Sequence, residues 1–384
     1  MLGAKSLRPI LISVLAACAL ALALLIPSPD RLGKYVEASS EETYVFLLKF
    51  GSDLSAENQF SGPRGVAVDG AGNVYVADSN NNRVQKLSAS GAFLGAWGSY
   101  GSGEGQFRAP NGVAADGAGN IYVADSNNHR VQKFSASGAF LGAWGSYGSA
   151  GGQFIAPRGV AVDGAGNVYV ADSNNNRVQK FSASGAFLGA WGSYGSGDGQ
   201  LNAPNGVAAD GAGNVYVADT WNNRVQKFSA SGAFLGAWGS YGSAEGQFNG
   251  PRGVAADGAG NVYVADTWNN RVQKFSASGA FLGAWGSYGS AEGQFNAPQG
   301  VALSYAGNVY LADTLNLRTQ VFGILLPGDG TLDGLVDSAD IVKAERVMLG
   351  LDPAVVSADA TGDGWLDMAD VTKIERIILG LDPG

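Results

Sequence analysis

From residue 60 onward the chain sets apolar positions in short runs of five to seven residues, each cut off by glycine, asparagine or serine. In the first stretch the runs cover 65–69, 74–78, 83–87 and 92–98, with Val, Tyr, Phe and Trp as their body. Alternation of β-branched and aromatic residues with polar ones predicts strands. Between the runs lie Gly70-Ala71-Gly72-Asn73, Ser79-Asn80-Asn81-Asn82 and Ser88-Ala89-Ser90-Gly91. These are turn formers, with Gly or Asn where a positive φ is required.

The same four-strand unit then returns. Pro63, Pro110, Pro157, Pro204, Pro251 and Pro298 fall 47 residues apart, and each opens a near-copy of the unit. A period of that size marks a repeat architecture, and four antiparallel strands per period describe one propeller blade. The last copy stops at Phe322 without a fourth strand, while Phe46-Leu47-Leu48-Lys49-Phe50-Gly51-Ser52 aligns with the fourth strand Phe93 to Ser99 and has no blade before it. The ends therefore predict a closed ring of six blades in which the N-terminal strand completes the last blade, covering two otherwise open edges.

The repeated G-V-A-V-D-x-x-G-N-V-Y-V-A-D-S-x-N-x-R-V-Q-K-F resembles the NHL repeat, and the resemblance covers residues 43–323. It implies an all-β, six-bladed NHL-type propeller. Members of that family bind proteins, RNA or small ligands, and a few relatives are lyases, so the resemblance specifies fold more than activity.

What recurs in every copy reads as scaffold. Asp78 and Arg83, matched by Asp125/Arg130, Asp172/Arg177, Asp219/Arg224, Asp266/Arg271 and Asp313/Arg318, end one strand and open the next, where they can pair across the turn. What varies is more informative. The middle residue of P-x-G runs Arg64, Asn111, Arg158, Asn205, Arg252, Gln299. At the start of the innermost strand this rings the channel mouth with three guanidinium groups suited to a carboxylate, or it is the trace of duplication in pairs of blades. In the turn between the second and third strands, Asn80, Asn127 and Asn174 give way to Trp221, Trp268 and Leu315. An apolar patch on one side of the ring would contact a protein or a carbohydrate, or would pack on neighbouring loops.

Charge adds a second domain. Residues 327–384 hold 12 acidic against 4 basic side chains, whereas residues 43–326 hold 17 against 16. With no basic footprint, nucleic acid is not an expected partner. The acidic segment contains two loops 30 residues apart: Asp329, Thr331, Asp333, Leu335, Asp337, Asp340 and Asp359, Thr361, Asp363, Trp365, Asp367, Asp370. Oxygen donors at positions 1, 3, 5, 9 and 12, a backbone carbonyl at 7, and a glycine at 6 in Gly334 and Gly364 are calcium-loop spacings, so two calcium ions are expected. Position 12 is Asp rather than Glu, and no helix precedes the first loop. Each loop followed by a helix-patterned stretch, I-V-K-A-E-R-V-M-L-G-L-D-P and V-T-K-I-E-R-I-I-L-G-L-D-P, resembles a type I dockerin, although Thr331 and Thr361 stand where that family has Asn. The resemblance implies a small α-helical, calcium-dependent module over residues 324–384 with a cohesin-like partner. The recognition positions would be Ser338, Ala339, Glu345 and Arg346 in one copy and Met368, Ala369, Glu375 and Arg376 in the other. A calcium-stapled cap without any cohesin is the alternative.

The N-terminus carries Lys5 and Arg8 before an apolar run from Ile10 to Ile26. This predicts export through a signal peptide or membrane anchor in residues 1–26, with 27–42 as linker and the extracellular space or cell surface of a prokaryote as destination. The single cysteine, Cys18, closes Leu15-Ala16-Ala17-Cys18 in the manner of a bacterial lipoprotein box, so cleavage, lipidation and retention all stay open; the anchor is the only expected membrane contact. One histidine, His129, stands where other copies have Asn, too few for a metal-binding catalytic channel. The expected function is thus an exported, non-enzymatic adaptor: the propeller face binds a protein or carbohydrate, and the dockerin attaches it to a cohesin-bearing surface. A propeller lyase or lactonase and a surface-layer spacer are the alternatives.

Overall fold

A computed structural model describes residues 44–51 and 57–324. The signal or anchor segment 1–26, the linker 27–42 and, beyond Ile324, the dockerin-like module with its twelve calcium and eight docking positions lie outside the described residues.

The described chain is a ring of six four-stranded antiparallel sheets. In the first blade the strands are Pro63–Val68, Val74–Asp78, Arg83–Leu87 and Phe93–Trp97, from the channel outward. The turns predicted to need a positive φ have it: Gly72 at 81°, Asn82 at 53° and Gly91 at 83°. The predicted closure also holds. Tyr44–Phe50 pairs antiparallel with Arg318–Ile324 as the outer strand of the sixth blade, with a bulge between Phe46 and Leu48. Tyr44 fixes that strand to the fifth blade by stacking on Trp285 at 4.2 Å and by a 2.8 Å hydroxyl contact with Tyr263.

The core is a set of six clusters, one at each seam between blades. At the first seam Tyr75, Ala77 and Val84 meet Val113, Ile121, Val123 and Phe134, and Phe107 fills the space from the connecting loop. Complete burial of one such aromatic ring is worth about 1.5–3 kcal/mol. Polar contacts tie the seams as well: the Ser79 hydroxyl donates to the Pro110 carbonyl, and Ser126 Oγ donates to that of Pro157 at 2.6 Å.

The recurring Asp and Arg form one structural hub per blade. Asp125 is fully buried; its carboxylate accepts from Arg130 Nε at 2.8 Å, Asn128 Nδ2 at 2.9 Å, Gln132 Nε2 at 3.1 Å and the Arg108 backbone N–H at 2.8 Å. One carboxylate therefore holds two strands and the incoming loop, and the same Asp to Arg pair recurs in every blade at 2.7–2.8 Å.

Inner strands approach so closely that P-x-G needs its glycine. A methyl group on Gly65 would lie 2.3 Å from the Asn111 carbonyl oxygen of the next blade, and the series ends with Gly300 at 2.3 Å from that of Arg64. The close approach thus runs round all six blades and places the variable residue of P-x-G at the axis.

Candidate functional site

Arg64, Asn111, Arg158, Asn205, Arg252 and Gln299 line a cavity of about 80 Å³ at the channel mouth. Asn111 and Asn205 are buried at 7% and 6% exposure; the three arginines are half-buried. Among the described residues the arginines paired with a carboxylate are those of the Asp to Arg hubs, and none of these three is. Arg252 Nε and Asn205 Nδ2 are buried without a hydrogen-bond partner in the protein. Both are donors. A mouth that presents unused donors and positive charge is complementary to an oxyanion, and leaving them unpaired has a cost that a ligand would remove.

Electrostatics agrees with the geometry. Burial lowers the pKa of Arg64, and burial together with the charge of Arg64 lowers that of Arg158. In Arg252, burial and then the charges of Arg158 and Arg64 bring it down to about 10. The arginines feel one another across the channel, as like charges in a poorly solvated ring must.

The turns between second and third strands open on this same face. The backbone N–H of Asn127 donates to the Arg108 carbonyl at 3.1 Å, joining turn to incoming loop. Trp221, Leu315 and Trp268 are exposed by 68%, 58% and 51%. Trp268 alone is engaged with the mouth: the Arg252 guanidinium carbon lies 5.3 Å from its ring centre. Beneath it sits Gly250, where a methyl group would be 2.5 Å from Trp268 Cδ1. Further out, Tyr100, Tyr147, Tyr194, Tyr241 and Tyr288 are exposed on the incoming loops. They escaped the sequence reading because they are identical in every loop. Gly250 was visible only as one of two glycines, with Gly62, where four copies carry Ala before the proline.

His129 has a structural task. Its Nδ1 accepts the backbone N–H of Ala156 at 3.1 Å, as Asn82 Oδ1 accepts that of Ala109 at 3.0 Å. Among the described residues no group of three or more His, Cys, Asp or Glu is placed to hold a metal.

Comparison with known proteins places NHL repeats at residues 60–87, 107–134, 154–181, 201–228 and 248–275, five of the six copies. A B-box type zinc finger protein of Caenorhabditis elegans, ncl-1, is 45% identical over 49 residues, which is 13% of this chain and 6% of that protein. Among solved structures, a streptogramin B lyase superposes with a TM-score of 0.52 at 15% identity, covering 75% of this chain and 100% of its own. A gluconolactonase of Xanthomonas campestris gives 0.54 at 13%, covering 77% and 96%, and a Bacteroides thetaiotaomicron protein of unknown function gives 0.55 at 18%, covering 76% and 74%. At these identities the likeness is one of fold.

It nevertheless corrects the expectation that the chain is not an enzyme. Solved propellers of this fold include a lyase and a gluconolactonase, so the fold is compatible with catalysis. A count of histidines was too narrow a criterion, because oxyanion stabilisation needs donors, and the mouth has them.

Proposed function

We propose that the channel mouth is the functional site of this propeller and that it takes a small carboxylate or an equivalent oxyanion. The observation that carries this reading is the set of three half-buried guanidinium groups with no carboxylate partner, beside the unbonded donors Arg252 Nε and Asn205 Nδ2. A cavity of about 80 Å³ has room for the anionic group alone, so the rest of the ligand lies outside it, on the face bearing Trp221, Trp268 and Leu315. The C-terminal acidic repeat, as a dockerin-like module holding two calcium ions, would attach the exported propeller to a cohesin-like partner at the cell surface. That part rests on sequence spacing.

The same donors favour a second reading, in which the bound oxyanion is one that forms during reaction. Ring opening of a lactone or elimination next to a carbonyl builds negative charge on an oxygen, and fixed guanidinium groups in a poorly solvated mouth stabilise it. The likeness in fold to a streptogramin B lyase and a gluconolactonase supports testing for it.

The test is calorimetric titration of the full chain with acetate at low ionic strength, beside the variant R64N/R158N/R252N, with acid release from gluconolactone followed in parallel. Binding in the wild type and its loss in the variant are expected; equal titration of both, or of neither, overturns the site. Arginine-dependent acid release would select the catalytic reading. Partner capture from native extracellular material in calcium, and not in chelator, is expected of the C-terminal module.

A further inference from the structure

The mouth is nearly symmetric in its charge and asymmetric in its walls. Arginine recurs in the first, third and fifth blades, yet an aromatic side chain meets it in the fifth alone. The fourth blade also carries a tryptophan in the corresponding turn, but Trp221 has Asn205 at the axis and Ala203 before the proline, and it stands 68% exposed. The first blade has the reverse composition, Gly62 and Arg64 with Asn80 in the turn, and Asn80 Nδ2 lies 2.6 Å from where a methyl group on Gly62 would be. In both glycine-bearing blades, then, the turn side chain settles into the space that a β-carbon would fill. Only in the fifth blade is that side chain an indole and its neighbour an arginine.

From this we infer that Gly250, Trp268 and Arg252 form an off-axis subsite for a carboxylate borne on a ring, with the carboxylate on the guanidinium and the flat face of the ring on the indole. The inference rests on the anion-binding reading of the mouth and adds the shape of what carries the anion. Three features support it. Arg252 has an unbonded buried Nε, so the guanidinium has hydrogen-bonding capacity left for a ligand. Its position 5.3 Å from the indole centre means that a carboxylate it takes brings the bearing group to Trp268. Trp268 keeps 51% of its surface exposed, and an indole face is a stacking surface for sugar and aromatic rings alike.

Gly250 is then a positioning residue. Alanine at this position is compatible with the fold, since Ala109, Ala156, Ala203 and Ala297 adopt the same left-handed backbone with φ near 50°. G250A should therefore fold and displace the indole from the guanidinium without altering the arginine ring.

The experiment titrates the full chain with acetate, D-glucuronate, benzoate and methyl glucoside, followed by calorimetry and by tryptophan fluorescence. Glucuronate or benzoate should bind about tenfold more tightly than acetate, the size of one stacking contact, and methyl glucoside should not bind. Which ring-bearing acid is preferred separates a sugar acid from an aromatic acid. In G250A and W268N the preference for ring-bearing acids over acetate should vanish; W221N should keep that preference, because the arginine at the mouth meets Trp268 and not Trp221, and R252N should weaken every acid. Acetate binding with no gain from either ring, or a gain that survives both G250A and W268N, overturns the subsite and leaves the anion site standing. Failure of acetate as well as both ring-bearing acids overturns the two together.

Discussion

Four of the six residues that precede the repeated proline are alanines held at φ between 48° and 51°: Ala109, Ala156, Ala203 and Ala297. The left-handed region costs an L-residue roughly 1–2 kcal/mol, and glycine returns about 0.5–1 kcal/mol of that through its larger loss of chain entropy. What keeps alanine there is a bond from the preceding blade: Ala109 N–H donates to Asn82 Oδ1 at 3.0 Å and Ala156 N–H to His129 Nδ1 at 3.1 Å. Substituting Ala109 and Ala156 by glycine should therefore stabilise the chain by about 0.5–1 kcal/mol per site, read as a shift in urea midpoint at constant slope. These two sites are the clean ones, because their turns carry Asn127 and Asn174, whereas the turns that correspond to Ala203 and Ala297 carry Trp221 and Leu315. A loss of stability in both variants would mean that the alanine methyl groups pack better than their backbone suffers.

Strands and blades were the most legible part of the sequence, for a physical reason. A blade buries both faces of its inner strands, so Val74 to Asp78 reads as an almost unbroken apolar run and is buried throughout, and the same run recurs in each copy. Closure was legible from the orphan strand, since a fourth strand without a blade has one place to go. The site was only half legible. The alternation of Arg64, Arg158 and Arg252 and the change from Asn to Trp221 and Trp268 stand out against identical neighbours, but the engagement of one tryptophan with one arginine depends on the missing β-carbon of Gly250, a contact between residues 18 apart that no local pattern reveals. The role of His129 was hidden likewise, because its acceptor nitrogen serves a residue of the following blade. Closure also has a direct test. Removing Tyr44–Phe50 would strip Arg318–Ile324 of its outer ladder partner and take Tyr44 from Trp285. The shortened chain should associate in a concentration-dependent way by sedimentation, as an uncovered edge strand does; a stable monomer with an unchanged melting curve would show that the ring does not depend on this strand.

In the assembled ring the three arginines oppose stability, and that makes them informative. Their neighbours Asn111, Asn205 and Gln299 show that the scaffold accepts an amide at the same place in alternate blades. A guanidinium there is partly desolvated, lacks a carboxylate and repels its two equivalents, which is why Arg252 falls to about 10. Its folded value lies below that of a free arginine, so its unfavourable contribution is complete below about pH 10 and fades as pH rises above that. Tyr75, Tyr122, Tyr169 and Tyr216 are shifted upward, chiefly by burial and by the adjacent aspartates, and act oppositely in the same alkaline range. Salt is therefore a cleaner probe than pH. Replacing all three arginines by asparagine should raise the melting temperature at low ionic strength by a few degrees, as relief of about 1–2 kcal/mol would. The gap should narrow as salt screens the wild-type ring, or as acetate occupies it. Residues retained at the expense of stability are expected where a ligand uses them. If the triple variant melts at or below the wild type in every buffer, the arginines are packing elements of the ring, and the case for an anion at the mouth loses its energetic basis.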